Sequence, residues 1–186
     1  MNTITQILYV EDKKEVFNSL KDDLIALVAE KLTNNEIDMV NAENAEKGRS
    51  LFENGFYDTV IFDLKMPKLH DGPEENRAGL ELLKELSGTE RWISNMPSYF
   101  IFSAFHETIE QAKAMAIDSS LVSEDMIYDK RSDEDSDRLL NDILMQIKNP
   151  ENQKKSKYKT QHNKILNLFK NHGYATTGDN YIRLIL

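Results

Sequence analysis

The sequence predicts an α/β fold built on a parallel β-sheet, and three observations lead there. Short apolar runs of strand character alternate with longer segments of helical spacing, as βαβ units require. Four of the runs deliver a polar residue at their C-terminal end: Gln6-Ile7-Leu8-Tyr9-Val10 into Glu11-Asp12, Thr59-Val60-Ile61-Phe62 into Asp63, Ser98-Tyr99-Phe100-Ile101-Phe102 into Ser103-Ala104, and Met126-Ile127-Tyr128-Asp129 into Lys130. Ligands bind beyond the carboxyl ends of the strands in open sheets of this kind. The chain is also long enough, at 186 residues, for one domain and an appendage.

The elements follow in order. After Asp12, Val16, Leu20, Leu24, Leu27, Val28 and Leu32 recur at helical spacing. Ile37-Asp38-Met39-Val40 reads as a short second strand. Asn44 is placed as the N-cap of a helix burying Ala45, Leu51 and Phe52, and Asn54-Gly55 ends it. The Asp63 strand comes next. Residues 68–78, polar and carrying the turn formers Asp71-Gly72-Pro73, read as a loop. Leu80, Leu82, Leu83 and Leu86 mark a third helix, and Trp92 falls in the connection to the Ser98 strand. Residues 107–117 read as a fourth helix, with Ile109, Ala112 and Ala116 on its apolar face. Residues 133–148 read as a fifth, with Leu139, Leu140, Ile143, Leu144 and Ile147 inward and an acidic first turn suited to the helix dipole. A boundary is expected at Asn149-Pro150, since proline disfavours helix before it. Beyond it, residues 158–171 look helical and residues 181–186 look like a strand.

Composition narrows the function. There are no cysteines, which excludes disulfides and thiolate metal sites. No apolar stretch reaches the length of a membrane span, and no signal-peptide pattern opens the chain, so a cytoplasmic protein is expected. Residues 1–150 hold 16 basic and 30 acidic side chains, a net of −14, whereas residues 151–186 hold 7 and 2, a net of +5. The acidic body should repel nucleic acid, while the basic tail could approach a polyanion. His70, His106, His162 and His172 show no metal-ligand spacing. No phosphate-binding P-loop string occurs.

The strings Ile7-Leu8-Tyr9-Val10-Glu11-Asp12, Val60-Ile61-Phe62-Asp63-Leu64-Lys65-Met66-Pro67, Gly79-Leu80-Glu81-Leu82-Leu83-Lys84, Ile101-Phe102-Ser103-Ala104 and Lys130 resemble, in that order, the receiver domain of two-component response regulators. The resemblance covers about residues 5–149. It implies a flavodoxin-like three-layer sandwich whose five-stranded parallel sheet has the order 2-1-3-4-5; the residues read beyond it, 150–186, would form a short C-terminal α/β extension. It implies Asp63 as phosphorylation site, with Glu11, Asp12, Asp63 and the backbone carbonyl of Lys65 around Mg²⁺, a cation that takes few protein ligands. Ser103, Ala104 and Lys130 would bind the phosphoryl group, Lys130 as a point charge. The donor would be a histidine kinase or phosphotransfer protein, and the chemistry self-catalysed rather than enzymatic turnover.

The chain departs from that pattern in three places. Residues 68–78 are inserted beside the site. Ile127 stands where many receivers carry a switching aromatic, and Tyr128, one position later, should face the other way. Arg131 follows Lys130 where proline is common. These departures keep an alternative open, a receiver-shaped interaction module that does not switch by phosphorylation. A hydrolase of the haloacid type is disfavoured, because Lys65 occupies the place of its second aspartate. The 36 residues after Pro150 are few for an independent core, so they are expected to pack on the receiver, to support a homodimer, or to continue into a longer protein.

Overall fold

The computed structural model describes residues 3–105, 109–110 and 124–149. The extension over residues 150–186, its expected helix and strand, and most of the expected helix over 107–117 lie outside the described residues.

The central sheet consists of β1 (Thr3–Val10), β2 (Asn35–Ala42), β3 (Thr59–Phe62), and two strands from the second half of the chain. Between β3 and those two lie the short strands β4 (Met66–Pro67) and β5 (Glu74–Glu75), so the later sheet strands are β6 (Ser98–Ser103) and β7 (Ile127–Asp129). The sheet order is β2-β1-β3-β6-β7, all pairs parallel. Counting only its five strands, that is 2-1-3-4-5, the flavodoxin-like arrangement expected. Among the described residues the α-helices with given bounds are α1 (Lys14–Lys31), α2 (Ala45–Asn54), α3 (Ala78–Ser87), α4 (Glu90–Asn95) and α5 (Asp133–Lys148).

Strand alternation sorts the core into two layers. Leu8, Val10, Val60, Phe62, Ile101 and Ile127 point to the side of α2, α3 and α4. Ile7, Tyr9, Ile61, Phe100, Phe102 and Tyr128 point to the side of α1 and α5. Every residue of β3 is buried, as a central parallel strand covered on both faces must be.

Local chemistry explains the boundaries. The Asn44 side chain accepts from the Lys47 N–H at 2.8 Å and caps α2 as expected. Gly55 closes α2, its N–H donating to Leu51 O at 2.8 Å. The helix over 133–148 has the expected ends. On α1 the buried positions are Phe17, Leu20, Leu24 and Val28, so the stripe begins at Phe17 rather than Val16.

Two segments differ from the sequence reading. Trp92 lies in a short helix, α4, and not in a plain connection. The Thr89 side chain caps that helix, accepting from Trp92 N–H at 3.2 Å, while the indole packs between Phe52 and Tyr99 at centroid distances of 5.4 Å each. Residues 68–78 are not a plain loop: β4 and β5 form an antiparallel ribbon, with Met66 opposite Glu75 and Pro67 opposite Glu74. Asp71, at φ 60°, turns the chain between them, and Gly72 N–H donates to Leu69 O at 3.0 Å.

Candidate functional site

Glu11, Asp63 and Lys130 each follow the last residue of a strand, and each is fixed by a bond to the neighbouring strand. Glu11 N–H donates to Ala42 O at 2.9 Å, Asp63 N–H to Val10 O at 3.0 Å, and Lys130 N–H to Ser103 O at 3.0 Å. Hydrogen bonds of the ladder thus continue one residue beyond each strand and aim the side chains into one space.

Asp63 is the centre of that space and is buried. Its Oδ1 accepts from Ser103 Oγ at 2.7 Å and from the Lys65 N–H at 3.3 Å. Its Oδ2 accepts from Lys130 Nζ at 2.8 Å. Lys130 also donates to Glu11 Oε2, and its side chain is 10% exposed against 0% for Glu11. Tyr9 Oη donates to the same Glu11 oxygen at 2.8 Å, and the Lys13 N–H donates to Glu11 Oε1 at 3.1 Å. Asp12 lies beside them, half-buried, and its Oδ1 is buried without a hydrogen-bond partner.

Burial pushes the Glu11 carboxyl above its ordinary value, opposed by the Lys130 ammonium and reinforced by Asp63. Asp12 is raised as well, by burial first and then by the charges of Glu74 and Asp63. Burial, then Glu11 and Asp63, holds the Tyr9 phenol well above its usual range, so it acts as a hydrogen-bond donor.

The donor set fits a divalent cation. Glu11, Asp12 and Asp63 each offer a carboxylate oxygen, all within 4.8 Å of one another. With one ammonium facing three carboxylates the site is short of positive charge, and Asp12 Oδ1 is an acceptor with nothing to accept. Hard oxygens in this number suit Mg²⁺, which completes its shell with water.

Of the residues singled out from sequence, Glu11, Asp12, Asp63, Ser103 and Lys130 converge. Lys65 joins them through its backbone N–H, and Ala104 follows Ser103 as an exposed residue. Sequence reading missed three contributors. Tyr9 steadies Glu11; strand alternation places residues 9 and 11 on one side, so the signal existed. Gly79 lets α3 approach the site: a Cβ there would lie 1.7 Å from the Asp63 carbonyl oxygen, and its N–H donates to Leu64 O at 3.2 Å. Glu74, carried by the ribbon, ion-pairs with Lys65 at 2.9 Å. No sequence pattern announces it.

The departures around Lys130 also have a structural form. Ile127 packs in the α2–α3–α4 layer and Tyr128 in the α1–α5 layer. Tyr128 Oη donates to Asp142 Oδ2 at 2.6 Å, and the Arg138 guanidinium lies 4.5 Å from its ring centroid. Arg131 turns back on Asp129, donating through its backbone N–H and its guanidinium.

No family model and no curated relative matches the chain. Solved structures do. The chain is similar to the Francisella response regulator 1452 receiver domain, with 21% identity and a TM-score of 0.54 over 79% of this chain and 99% of that one. It is similar to the chemotaxis response regulator CheY4 of Vibrio cholerae, with 13% identity and a TM-score of 0.52 over 78% and 99%. A CheY-like receiver domain protein from Methanospirillum hungatei JF-1 matches with 19% identity and a TM-score of 0.52 over 81% and 99%. Strand order, strand-end acids and these matches agree: the chain has the receiver-domain fold.

Proposed function

We propose that the chain is a phospho-accepting receiver of a two-component or phosphorelay pathway. Asp63 takes a phosphoryl group from a phosphohistidine of a histidine kinase or phosphotransfer protein, and the modified state changes partner binding or oligomerisation. The observation that carries this reading is the setting of the Asp63 carboxylate, between the Ser103 hydroxyl at 2.7 Å and the Lys130 ammonium at 2.8 Å, with Glu11 and Asp12 across the same space.

Glu11, Asp12, Asp63 and the Lys65 backbone carbonyl would hold Mg²⁺, which supplies neutralisation of charge on the phosphoryl oxygens. An Asp63 carboxylate oxygen forms the new O–P bond as the donor's N–P bond breaks, its electron pair remaining with the imidazole. Lys130 then pairs with one phosphoryl oxygen and Ser103 donates to another. Ala104 leaves room for backbone beside the group. Hydrolysis reverses the modification when water attacks phosphorus and Asp63 departs, so the protein is a switch and not a turnover enzyme. Residues 1–149 constitute this unit, acting in the cytoplasm, with residues 150–186 as an extension suited to homodimer contacts. The acidic body disfavours nucleic acid, and among the described residues no helix is long and apolar enough to cross a membrane.

Incubation with Mg²⁺ and acetyl phosphate should label wild type at Asp63 and leave Asp63→Asn unlabelled. An unlabelled wild type, or equal label in both, overturns the proposal. A second reading, the non-switching interaction module, is favoured by one observation: Tyr128 is tied to Asp142 on the α1–α5 side. Identical oligomeric state and partner binding with and without Mg²⁺ and beryllofluoride would select it.

A further inference from the structure

The β4–β5 ribbon meets the site through one side chain. Lys65 Nζ pairs with Glu74 Oε2 at 2.9 Å and lies 4.1 Å from the Phe105 ring centroid. Phe105 is the second residue after Ser103, so the ammonium bridges the ribbon to the loop on the far side of Asp63. On the turn side of its paired residues the ribbon is fastened by Lys68, which pairs with Glu75 at 2.7 Å and with Glu81 at 2.9 Å. Its turn carries Leu69, 57% exposed. A two-stranded ribbon is marginally stable alone, so this one depends on such anchors.

We propose that the ribbon is a strap over the phosphorylation site, and that Glu74 and the phosphoryl group compete for the Lys65 ammonium. The inference rests on the phospho-receiver reading. Without the phosphoryl group, Lys65 holds Glu74 down. A phosphoryl group on Asp63 brings additional negative charge and three strong acceptor oxygens. That charge attracts Lys65 and repels Glu74. Lys65 changes partner, the ribbon lifts, and its turn becomes the altered surface. The output is thereby assigned to the insertion, whereas Tyr128, held on the other layer, takes no part. Glu74 acts as a positioning residue, since it works only through the Lys65 ammonium.

The test measures the aspartyl-phosphate lifetime after labelling full-length protein with acetyl phosphate and Mg²⁺. Exposed ion pairs contribute little, so freeing Lys65 should matter modestly: Glu74→Gln should lengthen the lifetime about threefold. The gain should vanish in the Glu74→Gln/Lys65→Met double variant, which should decay like Lys65→Met alone. Hydrogen exchange over residues 68–75 should rise in wild type when Mg²⁺ and beryllofluoride are added, and should already be raised in Glu74→Gln without them. A lifetime unchanged in Glu74→Gln, or a gain that persists without Lys65, overturns the strap while leaving Asp63 phosphorylation standing. If wild type takes no label at all, the phospho-receiver reading fails and takes the strap with it.

Discussion

The two flanks of Asp63 are built on opposite principles. On the inner flank Lys130, Glu11, Ser103 and Tyr9 are packed into the strand ends, and the Lys130 and Glu11 side chains are 10% and 0% exposed. On the outer flank Lys65 and Glu74 are 25% and 37% exposed and hang on a two-stranded ribbon. Burial makes each inner contact strong, and makes its loss costly, because a buried charge left alone has no water to turn to. Partial exposure makes each outer contact weak and exchangeable. If Asp63 is phosphorylated as proposed, the inner flank would hold the reaction geometry and the outer flank would respond to it.

Removing the inner cation should give the largest effect. Lys130→Met leaves Glu11 and Asp63 facing each other without an ammonium and should cost about 3 kcal/mol in denaturant unfolding at neutral pH. A loss no larger than that of an exposed ion pair would erase the contrast. Next comes Gly79→Ala: with a Cβ built 1.7 Å from a backbone oxygen, α3 must shift away from Asp63. The expected cost is about 2 kcal/mol, with slower labelling by acetyl phosphate.

Asp12→Asn should act in the other direction. Burial and two neighbouring acids already penalise this carboxylate, so its neutral isostere should raise the metal-free melting temperature while abolishing the upward shift caused by Mg²⁺. The pH profile follows from the same signs. The folded-state values of Glu11 and Asp12 lie above the ordinary 4.5 and 3.8, so the folded state binds more protons than the unfolded chain in that window. Metal-free stability should therefore rise as pH falls through the raised folded values toward the ordinary carboxylate range. Glu74 and Glu85 behave oppositely: pairing with Lys65 and with Arg49 lowers them. Their contribution is present above the ordinary value and is lost as pH falls through the folded ones, which reverses the trend in more acid solution. Smallest of all, Arg49→Gln, which removes an exposed pair with Glu85 at 2.6 Å, should cost under about 1 kcal/mol.

The inner flank was legible in the sequence because strand ends announce themselves. An apolar run that stops at an acid, a serine or a lysine identifies both the strand and the residue it presents, and Glu11, Asp12, Asp63, Ser103 and Lys130, read from such ends, come together in the structure. The outer flank was not legible. Four residues make the whole of the β4–β5 pairing, too few for alternation to show, and Glu74 is one acid among many until the ribbon folds back. Helix α4 escapes for a related reason: its six residues make fewer than two turns, and only Thr89 hints at its start. Phe17 does not stand out because Val16 fits the same helical stripe nearly as well.

The chain's single tryptophan, enclosed by Phe52 and Tyr99, has a practical consequence. Its indole emission arises solely from the layer that contains α2, α3 and α4, while the aromatic-rich layer beneath α1 and α5 is silent at that wavelength. Unfolding traces followed by fluorescence and by far-ultraviolet dichroism should therefore coincide if the two layers melt together, and separate if one dissolves first. The molecule carries its own optical probe for whether the sheet behaves as one cooperative body or as two.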